Sequence, residues 1–561
     1  MRDPRSVPVS ADGANVARHL PIMAGRQPDT LALRVPRGRS RATRTIDYLD
    51  LTFGELDRET DAWAHRLTAR GILRGTRVLL LVPPGLPLIA LCFATFKIGA
   101  VPVVIDPGMG LGAFLRCVRR TRPAAIAAVA RGILVSRVFF RAFASVRIRV
   151  RVPAGGAHRA GGSSATAAPP PFATAPTRSD ELAAILFTSG STGAPKGVCY
   201  EHGMFEAQVR AIRDTYGIQP GEIDLPMLPI FALFNPALGM TTVVPEINPG
   251  RPATANAAAI VQAITQCSVT NSFGSPVLWR KVVDHCIAHK LTLPSLRRGL
   301  SAGAPVPPAL MADFRTIAPQ AEMHSPYGAT EALPVTTVSS REILAFAGLR
   351  TRDGAGTCVG RAVPAVDVRL IRLRDDPIAT WNDDLCVPPG AVGEIVVRGE
   401  QVTKSYDQLP AATAAAKIPT GNGSAVWHRM GDCAYVDADG RLWFCGRKAE
   451  RVRTAQGEMF TERCEPVFNQ HPRVARCALI GLGPAGAQEP AIVAETRAGT
   501  NPAPAELARE LRDLGRACAT TREIRAFFFH RHLPVDVRHN AKIHRLALAR
   551  HFANREPIRV P

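Results

Sequence analysis

The sequence has little that would place it among metal-binding, secreted or repeat proteins. No two of its 12 cysteines show the Cys-x-x-Cys spacing of a zinc or redox site. The first residues, MRDPRSVPVS, contain no apolar signal core, and no internal repeat of solenoid or propeller length is visible. Together these absences predict a cytoplasmic protein with reduced thiols.

Acidic residues are scarce relative to basic ones. The chain has 47 Asp and Glu against 69 Lys and Arg, which gives a formal charge of +22. Such a charge attracts phosphates, nucleic acid or anionic lipid. The arginines are spread along the chain, however, without the interleaved aromatic residues or sequence motifs of nucleic-acid binders. We therefore predict no nucleic-acid partner.

Acidic residues are missing altogether from residues 107–179, which we call the basic segment. Many arginines lie in it, and Phe139, Phe140 and Phe143 lie among them. Two interpretations stay open. The segment is either a solvated face over a buried strand or helix, or a basic, amphipathic contact with a membrane surface or an acidic partner.

A transmembrane segment is not expected. Val78–Phe96 lacks charged residues and is long enough to span a bilayer. Pro83, Gly85 and Pro87 interrupt this run near its start. The pattern predicts a buried strand, a turn and a buried helix.

Short apolar runs alternate with longer amphipathic segments, a pattern typical of α/β proteins. Strands are predicted at Val78–Val82, Val101–Ile105 and Leu182–Phe187, and a helix at Phe53–Arg70. The segment Pro153–Pro176 is rich in Ala, Gly, Ser and Pro and is predicted to be a surface connection.

The chain is too long for a single hydrophobic core, so at least two folding units are expected. The best boundary lies near Gly446, where the polar stretch Arg441–Gly457 follows a predicted turn at Asp437–Gly440. We therefore predict an N-terminal domain over 1–445 and a smaller C-terminal domain over 446–561.

The segment TSGSTGAPKG, at 188–197, directly follows a predicted strand. Its glycines let the backbone turn sharply and bring N–H groups close to an anion, while hydroxyls and a lysine add donors for a polyphosphate. A plain polar hairpin turn is the alternative. Pro195 before the lysine and Gly197 after it exclude a Walker loop. The residues expected to bind phosphate are Thr188, Ser189, Gly190, Ser191, Thr192, Gly193 and Lys196.

The spacing of this loop resembles that of the adenylate-forming superfamily, which includes acyl-CoA synthetases, luciferases and nonribosomal adenylation domains. Further motifs of the superfamily follow in the same order along nearly the whole chain. The resemblance implies an α/β fold with a large N-terminal adenylate-forming domain of layered sheets and helices, and a small α+β C-terminal domain joined by a hinge. It also implies ATP and Mg²⁺ as cofactors.

Two further motifs resemble the family's adenine and phosphate contacts. SAGAP, at 301–305, resembles the loop that lies against the base, although alone it indicates only a turn. In YGATE, at 327–331, the resemblance implies that the Tyr stacks near adenine, the Thr contacts phosphate and Glu331 helps to hold Mg²⁺. The nucleotide-binding residues implied are Gly303, Ala304, Pro305, Tyr327, Gly328, Ala329 and Thr330.

Three residues nearer the C-terminus extend the resemblance. Asp432, in HRMGD, resembles the acid that accepts hydrogen bonds from the ribose hydroxyls. Arg447, in GRK, resembles the arginine that follows the hinge glycine and reaches the nucleotide. Lys542 resembles the lysine that stabilises charge on the carboxylate and α-phosphate oxygens during adenylation. Lys542, Glu331 and Thr188 are the implied catalytic residues.

The chain departs from the superfamily's pattern at three alanines. Ala232 stands where a His or aromatic gate is frequent, Ala449 where a hinge Asp or Lys is usual, and Ala541 where a Gly usually precedes the C-terminal lysine. These departures weaken the expectation of a standard thioester-forming ligase.

A narrower resemblance is to the β-lactone synthetases of bacterial olefin biosynthesis. It is carried by residues 188–209, 229–240, 462–474 and 533–545. It implies adenylation of a long-chain 2-alkyl-3-hydroxy acid, followed by attack of the substrate's own β-hydroxyl on the acyl-adenylate and release of AMP. Proximity would then replace an external nucleophile.

Two alternatives stay open. The chain is a long-chain acyl-CoA synthetase that passes the acyl group to CoA, or a non-catalytic binding protein that keeps the fold. The second is disfavoured by the intact Lys196, Glu331, Asp432, Arg447 and Lys542.

A hydrophobic hydroxy-acid substrate needs an apolar pocket, for which Phe231, Phe234 and Phe273 are candidates. His202 and His324 lie near family motifs, but a structural role is favoured for each. The resemblance also implies that other enzymes of the same pathway are partners.

Overall fold

The computed structural model describes residues 13–153, 170–188, 195–248, 251–421, 425–500, 503–535 and 542–561. Most of the predicted phosphate loop (189–194), most of the predicted surface connection (154–169) and Ala541 lie outside the described residues.

Strands occur throughout the described chain. They are β1 (Leu31–Arg39), β2 (Ile46–Thr52), β3 (Arg77–Leu81), β4 (Val101–Ile105), β5 (Ala125–Ala128), β6 (Ile148–Arg151), β7 (Leu182–Thr188), β8 (Lys196–Glu201), β9 (Ile223–Pro226), β10 (Thr241–Val243), β11 (Asn271–Gly274), β12 (Arg298–Ser301), β13 (Glu322–Ala329), β14 (Ala332–Ser339), β15 (Thr357–Ala362), β16 (Val366–Ile371), β17 (Gly393–Gly399), β18 (Lys417–Pro419), β19 (Val426–Val436), β20 (Leu442–Arg447), β21 (Val452–Thr454), β22 (Gly457–Met459), β23 (Val474–Leu482), β24 (Glu489–Thr496), β25 (Ala526–Phe529) and β26 (Ile558–Arg559).

The α-helices alternate with these strands through much of the chain. They are α1 (His19–Arg26), α2 (Phe53–Thr68), α3 (Leu86–Ile98), α4 (Leu111–Thr121), α5 (Ala130–Val138), α6 (His202–Tyr216), α7 (Asn235–Leu238), α8 (Ala257–Gln266), α9 (Pro276–Ala288), α10 (Pro308–Ile317), α11 (Ser340–Glu342), α12 (Gly348–Arg352), α13 (Pro410–Ala416), α14 (Thr461–Phe468), α15 (Pro504–Arg516) and α16 (Arg545–Phe552).

The largest sheet has 14 strands, and its central part is parallel. There β10, β9, β11, β12 and β13 run side by side in the same direction. Parallel strands place their carboxyl ends at one edge, where ligands of α/β proteins usually bind. The predicted motif at 301–305 begins at the end of β12 and the motif at 327–331 at the end of β13, so the sheet brings the two motifs to the same edge.

A second sheet has the strand order β6-β5-β3-β4-β7-β8. Its strands run parallel except β8, which pairs antiparallel with β7. The strand, turn and helix predicted for 78–96 are present as β3 and α3, and the strand predicted at 101–105 is β4 with the same bounds. The predicted α/β architecture is therefore confirmed.

Local sequence explains where the first long helix begins. Thr52 and Glu55 form a capping box at the start of α2, in which the Thr52 hydroxyl accepts from the Glu55 N–H and the Glu55 carboxylate accepts from the Thr52 N–H. The helix ends at Thr68, two residues before the predicted end, because Gly71 adopts a left-handed conformation with φ of 86°.

Helix α3 occupies the uncharged run for which a membrane span was considered. Helix α3 is buried along nearly its whole length, yet no helix of the described residues is both long and apolar enough to cross a membrane.

Strands β23–β26 form a separate four-stranded sheet, packed with α14 and α15 around a core of their own. This unit contacts the larger part through hydrogen bonds from Thr357 to Glu462 and from Arg463 to the carbonyl of Gly354.

Candidate nucleotide-binding site

A buried carboxylate, Asp432, lies at the centre of the predicted adenosine side. It belongs to β19 and is only 3% exposed. The Tyr327 hydroxyl donates to its Oδ2 at 2.6 Å, and Arg447 Nη1 lies 2.9 Å from its Oδ1. Asp432 and Arg447 are direct partners across the antiparallel pair β19–β20. The fold therefore unites three of the predicted nucleotide residues.

The electrostatics of Asp432 are dominated by burial. Burial raises the pKa of Asp432, while the charge of Arg447 and the Tyr327 hydrogen bond lower it. The carboxylate in turn raises the pKa of Arg447, and burial together with the carboxylate raises that of Tyr327. Among the described residues Oδ1 accepts no hydrogen bond, although Arg447 lies within ion-pair distance. A buried acceptor of this kind fits a ribose hydroxyl.

Lys542 reaches the same site from the C-terminal unit. It is half-buried, and its positive charge is one of the groups that lower the pKa of Asp432 against the dominant effect of burial. Arg545, three residues further on, forms ion pairs with Glu450 at 3.0 Å and Glu465 at 2.6 Å. These buried pairs fix the segment that carries Lys542 beside the chain that enters the C-terminal unit.

Glu331, the predicted Mg²⁺ ligand, is held at its side chain and its backbone. The Tyr406 hydroxyl donates to Glu331 Oε1 at 2.7 Å. Thr403 donates to the Glu331 carbonyl from its backbone N–H at 2.9 Å and from its hydroxyl at 3.1 Å. Among the described residues no group of three or more His, Cys, Asp or Glu could hold a metal ion. Glu331 would therefore have to act together with phosphate oxygens, as Mg²⁺ sites often do.

Sequence reasoning missed a buried lysine behind Glu331. Lys417 is 4% exposed and donates to both the carbonyl and the hydroxyl of Thr403. Burial lowers its pKa to about 7. Lys196 and Lys417 place their ammonium groups 4.7 Å and 5.8 Å from the centroid of the Tyr406 ring. Tyr406 and Lys417 also line a cavity of about 540 Å³.

The ends of the phosphate loop are joined by strand pairing. Thr188, the last residue of β7, pairs with Lys196, the first residue of β8. A Cβ on Gly197 would lie 2.7 Å from the Phe187 ring, so the close approach of the two strands requires glycine there. The predicted contacts at Ser189, Gly190, Ser191, Thr192 and Gly193 lie outside the described residues.

The SAGAP and YGATE glycines are also explained by geometry. Gly303 has a φ of 96°, a conformation that side chains rarely adopt. A Cβ on Gly328 would lie 2.7 Å from the carbonyl oxygen of Ala332, at the turn between β13 and β14. Thr330 is anchored at its carbonyl, which accepts a hydrogen bond from the Tyr200 hydroxyl.

The three candidate acyl-pocket phenylalanines lie together. The rings of Phe231 and Phe273 stack with centroids 4.0 Å apart, and Phe234 lies 6.3 Å from Phe231. Phe231 and Phe234 follow the carboxyl end of β9, and Phe273 lies near the carboxyl end of β11, at the edge that also carries the nucleotide motifs. Ala232, which stands where the superfamily frequently has a larger gate residue, lies between Phe231 and Phe234 in sequence. Its side chain is buried.

Of the two candidate histidines, His202 is buried and His324 is half-buried. Burial lowers the pKa of His202 to about 4 and also lowers that of His324. Both rings pack against aromatic neighbours, His202 beside Phe96 and His324 beside Tyr216. A histidine with a pKa near 4 is a weak base, which favours the structural role for His202.

Comparison with known proteins agrees with this geometry. Residues 23–407 match the family model of the AMP-binding enzymes. An olefin β-lactone synthetase of Xanthomonas campestris pv. campestris is 43% identical over 95% of this chain and 97% of its own length. One of Stenotrophomonas maltophilia is 44% identical over the same shares. An amide bond synthetase of Marinactinospora thermotolerans has the same fold, with a TM-score of 0.75 and 24% identity over 96% of this chain and 99% of its own.

Proposed function

The chain belongs to the AMP-binding enzyme family, and we propose that it activates a long-chain 2-alkyl-3-hydroxy acid with ATP and closes it to a β-lactone. The observation that carries this proposal is the identity of 43% and 44% with two olefin β-lactone synthetases over nearly the whole of each chain. The predicted membership of the adenylate-forming superfamily is confirmed by the same family match.

In the first half-reaction a carboxylate oxygen of the substrate attacks the α-phosphorus of ATP, and pyrophosphate leaves. Asp432 would accept hydrogen bonds from the ribose, with Tyr327 and Arg447 holding its carboxylate in place. Lys542 would stabilise the negative charge that grows on the oxygens of the acid and the α-phosphate. Glu331 would hold Mg²⁺, which neutralises phosphate charge when bound.

In the second half-reaction the β-hydroxyl oxygen attacks the acyl carbon of the adenylate. The hydroxyl proton is lost, the bond from the acyl carbon to the phosphate oxygen breaks, and AMP leaves with a four-membered ring closed. The nucleophile is part of the substrate, so holding its chain in one conformation supplies much of the rate. We assign to Phe231, Phe234 and Phe273 the role of packing against that chain.

An acyl-CoA synthetase is the second candidate function. Such an enzyme needs a site for CoA and, in the superfamily, a rotation of the C-terminal domain about a hinge residue. Here Ala449 occupies the hinge position, and the neighbouring Lys448 forms an ion pair at 3.0 Å with the buried Glu394 of β17.

We further propose that 446–561 form the mobile domain, and that other enzymes supply the hydroxy acid and consume the lactone.

One experiment separates the two functions. Purified protein is incubated with ATP, Mg²⁺ and a long-chain 2-alkyl-3-hydroxy acid, without and then with CoA, and the products are analysed. A β-lactone and AMP formed without CoA are expected. Thioester formation that strictly requires CoA would overturn the proposal, and an absence of AMP under every condition would indicate a binding protein.

Lys542→Ala tests the assigned chemistry. It is expected to reduce the rate of adenylate formation by more than about a hundredfold, while ATP binding weakens only a few-fold. ATP–pyrophosphate exchange measures that rate. Lys290→Ala, which removes an exposed lysine just after α9, is the control. Unchanged exchange in Lys542→Ala would remove its role.

A further inference from the structure

Helix α5 packs Ile133 and Val135 against the core but presents two other apolar side chains to solvent. Leu134 is 61% exposed and Val138 is 60% exposed, four residues apart on one face. The residue that is buried is Ser136, whose hydroxyl donates to the Ile133 carbonyl at 2.7 Å and accepts from Arg149 at 3.2 Å. The exposed face of this helix therefore carries apolar side chains where a surface helix usually carries polar ones.

The exposed apolar surface continues past the end of the helix. Phe140 is 64% exposed, and the Arg141 guanidinium lies 6.0 Å from its ring centroid. Arg131 and Arg137 are exposed on the same helix. We call this surface the α5 face; its members are Arg131, Leu134, Arg137, Val138, Phe140 and Arg141.

The charge of the α5 face is uncompensated. It lies within residues 107–179, which contain no Asp or Glu. In the described part of the chain, none of Arg131, Arg137 and Arg141 forms an ion pair. Exposed arginines elsewhere in the chain do so: Arg74 pairs with Glu181 and Arg178 pairs with Asp180.

We propose that the α5 face binds an anionic lipid surface. Three large apolar side chains among three unpaired arginines match the boundary between acyl chains and negatively charged headgroups. A second copy of this chain fits less well, because a symmetric contact would place arginines against arginines. Nucleic acid would be bound by the arginines but offers no place for Leu134, Val138 and Phe140.

The position of the face leaves the nucleotide site open. Helix α5 connects β5 and β6 at one edge of the six-stranded sheet, whereas β7 and β8, which carry the phosphate loop, lie at the opposite edge. Lipid binding is therefore expected to be independent of nucleotide and of the identity of the acid substrate.

The test uses the full-length protein and sedimentation with large vesicles of phosphatidylcholine, with or without phosphatidylglycerol. The wild type is expected to bind only the phosphatidylglycerol vesicles. Leu134→Ser/Val138→Ser/Phe140→Ser and Arg131→Gln/Arg137→Gln/Arg141→Gln are each expected to weaken binding by about a hundredfold, since each group adds a few-fold. ATP–pyrophosphate exchange should be unchanged in both, which also shows that they fold.

Matched controls separate this face from the net charge of the protein. Leu73→Ser/Ile287→Ser/Leu349→Ser removes three other exposed apolar side chains, and Arg58→Gln/Arg70→Gln/Arg509→Gln removes the same charge elsewhere. Both controls should bind as the wild type does. The proposal is overturned if the controls weaken binding equally, if the face variants bind normally, or if the face captures an acidic protein but no vesicles.

Discussion

Tyr327 and Asp432 lie 105 residues apart in sequence, yet the tyrosine hydroxyl donates to the carboxylate at 2.6 Å. The pair joins the end of the parallel part of the large sheet to the antiparallel strand β19. Because the accepting carboxylate is buried and the bond is charge-assisted, it orients Asp432 more firmly than an exposed contact would.

Tyr327→Phe tests this orientation. Without the hydroxyl, Asp432 keeps only the Arg447 ion pair, so the KM for ATP is expected to rise by about tenfold with a smaller change in kcat. ATP–pyrophosphate exchange measures both constants. Tyr435→Phe, on β19 with Asp432, is the control and should behave as the wild type. An equal effect of the two substitutions would show that Tyr327 acts only through packing.

Tyr406→Phe tests the hold on Glu331. The substitution removes the hydrogen bond to Oε1 and leaves the backbone contacts from Thr403 in place. If Glu331 ligates Mg²⁺, the Mg²⁺ concentration for half-maximal exchange should rise by about tenfold, as for other groups that orient a metal ligand. Tyr48→Phe, remote from the site, serves as control. A lower maximal rate with the same Mg²⁺ requirement would contradict the assignment.

The buried Lys417 is expected to make the stability of the protein depend on pH. Burial lowers its pKa from 10.5 to about 7, whereas the unfolded chain holds the proton up to about pH 10. The unfolded state therefore binds more protons between these values, and the free energy of unfolding rises with pH across that window. The free energy of unfolding in urea should rise from pH 7 to pH 9.5 by more in the wild type than in Lys417→Met.

The control for that measurement is Lys404→Met. Lys404 is exposed and pairs with Glu201 at 2.7 Å, so its substitution should leave the pH dependence unchanged. A wild type and a Lys417→Met variant whose stability difference is the same at both pH values would show that Lys417 titrates normally.

Phe231→Ala tests the acyl pocket. Removing one ring of the Phe231–Phe273 stack should raise the KM for a long-chain acid by about tenfold or more while the KM for ATP stays the same. Phe528→Ala, which removes the ring contact with Phe552 in the C-terminal unit, controls for general destabilisation. Equal changes in both KM values would place Phe231 in the core and not in the pocket.

Much of this arrangement follows from sequence patterns of short range. The strand at 101–105 and the helix beginning at Phe53 depend on local apolar periodicity and a capping box, and the sequence displays both. Asp432, Arg447 and Tyr327 could be proposed because each lies in a recognisable motif, although only the folded sheet shows that they touch.

Lys417 and the α5 face could not be predicted in the same way. A lone lysine is normally exposed, and only the pairing of β18 with β19 buries this one. Periodicity alone would bury Leu134 and Val138, whereas the fold buries Ser136. In both cases tertiary packing overrides the preference of the individual residue.

The pairing of Asp432 with Arg447 across β19 and β20 has a thermodynamic consequence. Arg447 is the last residue of β20, and the chain passes directly from it into the C-terminal unit. If ATP binds at Asp432 and residues 446–561 move as proposed, the nucleotide would also select among orientations of that unit. By linkage the effect is reciprocal: whatever biases the orientation of the C-terminal unit must change the affinity for ATP by the same factor.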